Sequence, residues 1–283
     1  MYTNIRWRKF GKYLVKDKMA SIGIAIIMVT IITAIFAPLL APYNPNEASD
    51  TATRLAMPFT SGHILGTDSQ GRDILSRLIY GSRTSILSAT IPVIISGVIS
   101  IILGIVAGFS KKIGGFIMRI MDVLFAFPSV LLAVVIAAIL GPGLFNVCLA
   151  MVIVRIPYMT RVVYTDTVQE MQKEYIEAAS AFGRTKFEIM FKELLPNVLP
   201  SLIVYATTLM GVTVVTIAGL SFIGLGIQPP TADWGLMASN GKNVLVQGDP
   251  YVTLFPGLAI LILAVAFSML GDWLRDLLDP TKK

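Results

Sequence analysis

Six apolar runs divide this chain and leave it few ways to fold. They are Met19 to Leu40, Ser85 to Phe109, Gly115 to Leu140, Leu144 to Val163, Val198 to Ile223 and Val252 to Leu270. A helix rising ~1.5 Å per residue needs roughly 20 residues to cross ~30 Å of hydrocarbon, and each run comes close to that length. In lipid no water is present to bond a free backbone N–H or C=O, so such runs should be helical. The expected fold class is an all-α membrane protein with six transmembrane helices. Composition agrees. Of 283 residues, 55% are hydrophobic and 14% are charged, against about 25% charged in a soluble domain.

Proline and glycine punctuate the runs. The first ends in Ala37-Pro38 and Ala41-Pro42, and the third stops at Gly141-Pro142-Gly143. Neither residue type sustains a helix. Pro128 and Pro157 are expected to kink their helices. The Pro229-Pro230 pair is expected to be stiff and extended.

Lysine and arginine set the orientation through the positive-inside rule. One side carries Arg6, Arg8, Lys9, Lys12, Lys16 and Lys18, then Lys111, Lys112 and Arg119. The same side carries Arg161, Lys173, Arg184, Lys186 and Lys192, then Arg275, Lys282 and Lys283. The other side holds only Arg54, Arg72, Arg77, Arg83 and Lys242. Both termini are therefore expected to be cytoplasmic. Residues 1–18 form a cytoplasmic tail, 19–40 the first transmembrane helix and 41–84 an extracellular segment. Residues 85–270 form a five-helix core containing a cytoplasmic loop at 164–197, and 271–283 form a cytoplasmic C-terminal tail. The first run exceeds the usual signal-peptide core, so it is expected to stay as a helix.

Several function classes find little support. A net charge of +6 is explained by residues flanking membrane runs, with no call for nucleic acid. Cys148 allows no internal disulfide, and His63 cannot form a metal site alone. No Gly-x-x-x-x-Gly-Lys-Ser/Thr motif occurs; Gly219 and Gly224 have its spacing, but Leu225 and Gly226 follow. An enzyme would need convergent catalytic groups. An ion-driven carrier would show inverted repeats and broken mid-membrane helices, and neither is evident.

The most informative segment is the loop at 164–197. Ile176, Ala179, Gly183, Phe187, Met190 and Leu194 recur every three or four residues, the stripe of one amphipathic helix. Gly183 can supply a positive φ, and Pro196 suits a helix start. The order Glu177-Ala178-Ala179, then Gly183, then Leu195-Pro196 resembles the EAA loop of ABC importer permeases. One position departs: Glu193 stands where that family often has an aliphatic residue. His63, Gly66, Asp68, Gly71, Arg72 and Asp73 resemble the first outer segment of the dipeptide, oligopeptide and nickel branch. Leu220 to Gly226, with Pro229-Pro230 and Trp234-Gly235, also resembles that branch, and the ending Gly271 to Pro280 resembles the C-terminus of its "C" subunit.

The resemblance implies a type I ABC importer permease fold in a bacterial or archaeal plasma membrane. It implies a partner "B" permease, two cytoplasmic ATPases that bind ATP and Mg, and an extracellular or periplasmic binding protein. This chain would itself hold no cofactor and perform no bond chemistry. Its EAA loop would sit in a groove of the ATPase, and His63 to Asp73 would lie near the pore mouth. The substrate stays open among dipeptide, longer peptide, nickel and metal chelate. Two charges lie in or near the spans. Asp122 is expected to pair locally with Arg119 or to snorkel. Arg155 sits in mid-run and is a pathway candidate.

Overall fold

The computed structural model describes residues 17–48, 53–60, 62–245 and 247–278. The basic N-terminal residues up to Lys16, together with Pro280, Lys282 and Lys283, lie outside the described residues. Among the described residues the regular structure is helical, and isolated bridges join Thr60 to His63 and Thr67 to Asp73.

Helix α1 spans Lys18–Ile35. Asp17 caps it, its Oδ1 accepting from the Met19 N–H at 3.0 Å and the Ala20 N–H at 3.2 Å, which satisfies two orphan donors. One further turn, Ala37–Leu40, follows a break at Phe36. Then come α2 (Ile74–Phe109), α3 (Lys111–Phe125), α4 (Ser129–Leu140), α5 (Leu144–Glu170) and α6 (Glu174–Ala181). A turn at Lys186–Glu188 and a π-helical stretch, Ile189–Leu194, lead into α7 (Leu195–Phe222). Helices α8 (Trp234–Leu245) and α9 (Tyr251–Leu278) complete the order. Five helices are long and apolar enough to cross a membrane: α1, α2, α5, the run Lys186–Phe222 and α9. Helices α3 and α4 pass the same test only as a pair, so the candidate spans number five, or six if that pair is counted as one bent span.

Three expectations change. Helix α2 begins at Ile74, well before Ser85, so part of the segment at 41–84 is helical. The apolar run marks only the stretch matched to hydrocarbon. Asp73 caps the helix earlier by accepting from the Ser76 N–H at 2.7 Å, and 36 residues reach roughly 54 Å. The single span from Gly115 to Leu140 is instead two helices meeting at 88°. Pro128 removes a backbone donor and pushes Phe127 out of helical geometry. By contrast, α5 runs on through Pro157. The Pro229–Pro230 bond is cis, so that pair is not an extended polyproline stretch.

The bundle is built on a seam between α2 and α5, which run parallel. Gly97 faces Met159, Gly104 faces Val163 and Gly108 faces Thr167. Between them the Ser100 hydroxyl donates to the Ile156 carbonyl at 3.1 Å and accepts from the Thr160 hydroxyl at 3.1 Å. Small residues every three or four positions let two backbones approach, the usual basis of helix packing in lipid. One apolar cluster packs α1, α2, α8 and α9 around Trp234, Leu263 and Phe267. A second packs α2, α5 and α7 with α6 and the π stretch, through Val93, Met159, Ile176 and Leu194. A third joins α4, α5 and α7.

A Cβ at Gly104 would stand 2.5 Å from the Val163 Cβ. Gly104→Val is therefore expected to destabilise the fold by about 1–3 kcal/mol or more. At Gly115, inside α3, nothing lies within 4 Å, so Gly115→Ala should not destabilise and should gain up to about 1 kcal/mol from helix propensity. Thermal unfolding of the detergent-solubilised protein checks both, and equal shifts would show that the seam is not close-packed.

Candidate functional site

The segment between α5 and α7 lies where α2 also ends, about a helix length from residues 41–73. It is not one amphipathic helix. Helix α6 buries Ile176 and Ala179, and the chain then turns at Gly183, whose φ is +77°. The Gly183 N–H donates to the Ser180 carbonyl and the Arg184 N–H to the Ala179 carbonyl, a left-handed helix stop that favours glycine. The stripe of small and apolar residues therefore splits. Leu194 is buried, but Phe187 is 68% exposed. After the turn Thr185 and Glu188 form a capping box, a signal readable in Thr185-x-x-Glu188.

The same turn exposes Phe182 (88%), and beyond it the exposed Phe187 ring lies 4.4 Å from that of Phe191. Of the remaining motif residues, Glu177 and Ala178 are exposed on α6, and Leu195 is half-buried. Pro196 occupies the first turn of α7. Its missing N–H follows the π stretch, whose wider winding accommodates a proline within a continuous helical run. Glu193, the departure from the family pattern, pairs with Arg184 and so ties the π stretch to the turn.

A polar bridge that sequence reasoning missed connects three elements. The Tyr175 hydroxyl donates to Glu170 Oε2 at 2.6 Å and accepts from Asn197 Nδ2 at 3.2 Å. Asn197 also donates to the Glu193 carbonyl at 2.7 Å. Burial first, then the Glu170 carboxylate, pushes the Tyr175 phenol up, so its hydroxyl stays protonated. The end of α5, helix α6 and the start of α7 are thereby joined. No periodicity signals such a bridge, because its members come from different helices.

At the other end, the six residues singled out from His63 to Asp73 are brought together. Asp68 Oδ2 takes Arg72 Nε at 2.8 Å and an Arg72 terminal nitrogen at 2.7 Å, with Arg77 Nε at 3.8 Å. Asp68 Oδ1 accepts from the Gln70 and Arg72 N–H groups at 2.8 and 3.0 Å. Arg77, 1% exposed, donates to the Pro45 carbonyl at 2.7 Å and to that of Pro230 at 3.4 Å. His63, 2% exposed, meets Asp73 through Nδ1 at 2.8 Å. Gly66 has φ +79°, and a Cβ there would stand 2.3 Å from the Ala56 carbonyl oxygen. Tyr251 of α9 donates to the Leu55 carbonyl at 2.8 Å, and Trp234 of α8 to that of Leu78 at 3.0 Å. The cluster is a buried ion-pair knot that ties residues 41–73 to α2, α8 and α9. Asp233, which caps α8 through the Leu236 N–H at 3.0 Å, is buried apart from this knot, beside Ser85 of α2 and Ser221 of α7, and that burial pushes its carboxyl up.

Two charges remain. Asp122 pairs with Arg161 of α5 rather than with Arg119, because α3 lies against α5. Arg161 also stands over the Phe125 ring at 4.4 Å. Arg155 lies near the middle of α5, 4% exposed, its Nε donating to Thr213 Oγ1 at 3.1 Å. No group of three or more metal-ligating side chains forms among the described residues.

A bundle of apolar helices long enough to cross a bilayer, with an ordered turn at one end and a charged knot at the other, is the architecture of a multi-pass membrane protein. Residues 100–283 match the model of the binding-protein-dependent transport system inner membrane component, and residues 6–58 match the N-terminal TM domain of oligopeptide transport permease C. The chain belongs to this family of membrane transport permeases, which sets aside both the enzyme and the ion-driven carrier. It is 41% identical over 278 residues to a dipeptide transport system permease protein of Alkalihalophilus pseudofirmus, covering 98% of this chain and 90% of that one. It is 43% identical over 256 residues to a probable D,D-dipeptide transport system permease protein of Escherichia coli, covering 90% and 85%. A glutathione transport system permease protein of Pectobacterium atrosepticum is 39% identical over 278 residues, covering 98% and 92%. Among solved structures, the MetNI methionine ABC transporter in inward-facing conformations shares the fold, with TM-score 0.57 at 21% identity. That match covers 69% of this chain and 93% of that chain.

Asp68→Asn keeps the shape of the knot but leaves Arg72 and Arg77 buried without their counter-ion. It is expected to cost about 3–5 kcal/mol of stability. Thermal unfolding of the solubilised protein measures this, and a change below about 1 kcal/mol would show that the knot behaves like an exposed ion pair.

Proposed function

We propose that this chain is the "C" permease of an ATP-driven importer of peptides, working beside a homologous "B" permease. In this reading α3 and α4 are one bent span, the spans number six and both termini are cytoplasmic. Residues 41–73 then lie outside, near the pore mouth and a docked extracellular or periplasmic binding protein. Two separate ATPases bind ATP and Mg, and lipid surrounds the rest. The relatives named for dipeptides, D,D-dipeptides and glutathione support a peptide substrate; none of those three names points to nickel.

One observation carries the coupling role. In the segment holding Glu177, Ala178, Ala179 and Gly183, the backbone turns so that Phe182, Phe187 and Phe191 stand exposed. Exposed aromatics at the tip of a short, internally bonded helix suit insertion into a pocket on another protein. The Tyr175 bridge then passes a displacement of α6 to α5 and α7. Closure of the ATPases favours one permease state only in so far as it binds that state better.

Nothing lies within 4 Å of a Cβ at Gly183, so substitution there acts through its φ of +77°. In the reconstituted complex, Gly183→Val is expected to uncouple uptake from ATP hydrolysis with the subunit still in the membrane. Gly183→Asn, which tolerates left-handed geometry, should do so less. Unchanged uptake in the valine variant would count against the coupling role. Tyr175→Phe removes the shared hydroxyl and should raise the ATP hydrolysed per peptide imported. An unchanged ratio would remove the bridge from the coupling path.

A further inference from the structure

Arg155 is the buried cation without a carboxylate. Arg72 and Arg77 share Asp68, Arg161 has Asp122, and Arg184 has Glu193. Among the described residues Arg155 has no ion pair. Nε donates to Thr213 Oγ1 at 3.1 Å, and a terminal nitrogen donates to Thr216 Oγ1 at 3.5 Å. Those hydroxyls donate their own protons to the Leu209 and Val212 carbonyls, at 2.7 and 2.8 Å. Their oxygens are thereby left to accept from the guanidinium. Its other electrostatic neighbours are the phenols of Tyr158 and Tyr205.

A guanidinium has five N–H donors in a planar fork, and these contacts engage two. A charge held within a membrane span is costly unless something opposes it. The group whose geometry matches the fork is a carboxylate, held by two parallel bonds. Arg155 and Thr213 are themselves buried, so a carboxylate would reach the guanidinium past half-buried Thr216. Thr216 borders a stripe of α7, with Val212, Val215 and Gly219, that this chain leaves exposed. Nothing lies within 4 Å of a Cβ at Gly219. The threonine contacts make the empty state tolerable, which a transient counter-ion requires and a permanent one does not.

We propose that Arg155, with Thr213 and Thr216, receives the free carboxylate of a peptide in transit between the permeases. This rests on the importer reading above. A carboxylate of the partner permease is the competing source of the same charge, and the test separates the two.

The complete complex with its binding protein, reconstituted in proteoliposomes, is compared with Arg155→Met and Arg155→Lys forms. The solutes are trialanine and its C-terminal amide. Each variant is expressed as a ratio to wild type for the same solute, so that delivery by the binding protein cancels. The expectation is that Arg155→Met assembles normally and hydrolyses ATP normally. Its trialanine uptake should fall about tenfold or more, the scale of a lost charge-assisted pair, and uptake of the amide should stay within about twofold. Arg155→Lys should retain most trialanine uptake. If wild type carries only the free acid, that rescue in a normally assembled complex decides in favour.

Four results overturn the proposal. Equal losses on acid and amide mean that Arg155 positions helices, and no loss means that it has no part. Failure of Arg155→Met alone to assemble means that the carboxylate belongs to the partner permease. A wild-type complex that imports neither solute with ATP defeats the peptide-importer reading itself.

Discussion

The rest of the bundle depends on the close approach of α2 and α5. Lipid supplies no hydrophobic pressure between helices, so contact there must come from packing and internal hydrogen bonds. Gly97, Gly104 and Gly108 remove side chains where Met159, Val163 and Thr167 press in, and Ser100 with Thr160 closes the gap by bonding. Once these two helices are side by side and parallel, the connection between them must cross back. The bent pair α3–α4 does so. Their shared end also sets where α6 can lie, because Ile176 and Ala179 pack into the same apolar cluster as Val163.

The charges sort by what they do for that frame. The knot around Asp68 keeps its ions within one short segment and bonds Asp68 and Arg72 through side chain and backbone alike, while Arg77 keeps Nε and one terminal nitrogen without a hydrogen bond among the described residues. A buried ion pair carries a large desolvation cost, and a knot with so many contacts offsets it while fixing one arrangement of several elements. Arg184 with Glu193, and Tyr175 with Glu170 and Asn197, do the same at the opposite end with more exposed groups. Arg155 is of another kind, since it meets only hydroxyls.

Much of this was legible in the chain. All six apolar runs fall on helices, because membrane insertion depends on summed local hydropathy. The stop at Gly141-Pro142-Gly143 and the capping roles of Asp17 and Thr185 follow from short-range chemistry of the same kind. What failed depended on neighbours distant in sequence. Pro128 and Pro157 look alike in the chain, and the first does mark a bend, at the 88° break where it caps α4, whereas the second sits inside one unbroken helix bonded on both flanks to Ser100. Asp122 has Arg119 one turn away but meets Arg161, since α3 packs on α5. The stripe from Ile176 to Leu194 has helical spacing throughout, but a glycine at positive φ let two shorter pieces pack better than one.

The sequence by itself determined that this protein lives in a membrane, where its apolar runs lie and which residues are small, charged or helix-breaking. Those properties are local, set by transfer from water and by the backbone limits of glycine and proline. Only the tertiary structure decided which charges meet and which aromatics stay exposed. It also decided that Tyr175 joins three helices and that Arg155 lacks a carboxylate. These are relations between segments, and the energy of each depends on a distance that sequence spacing does not contain.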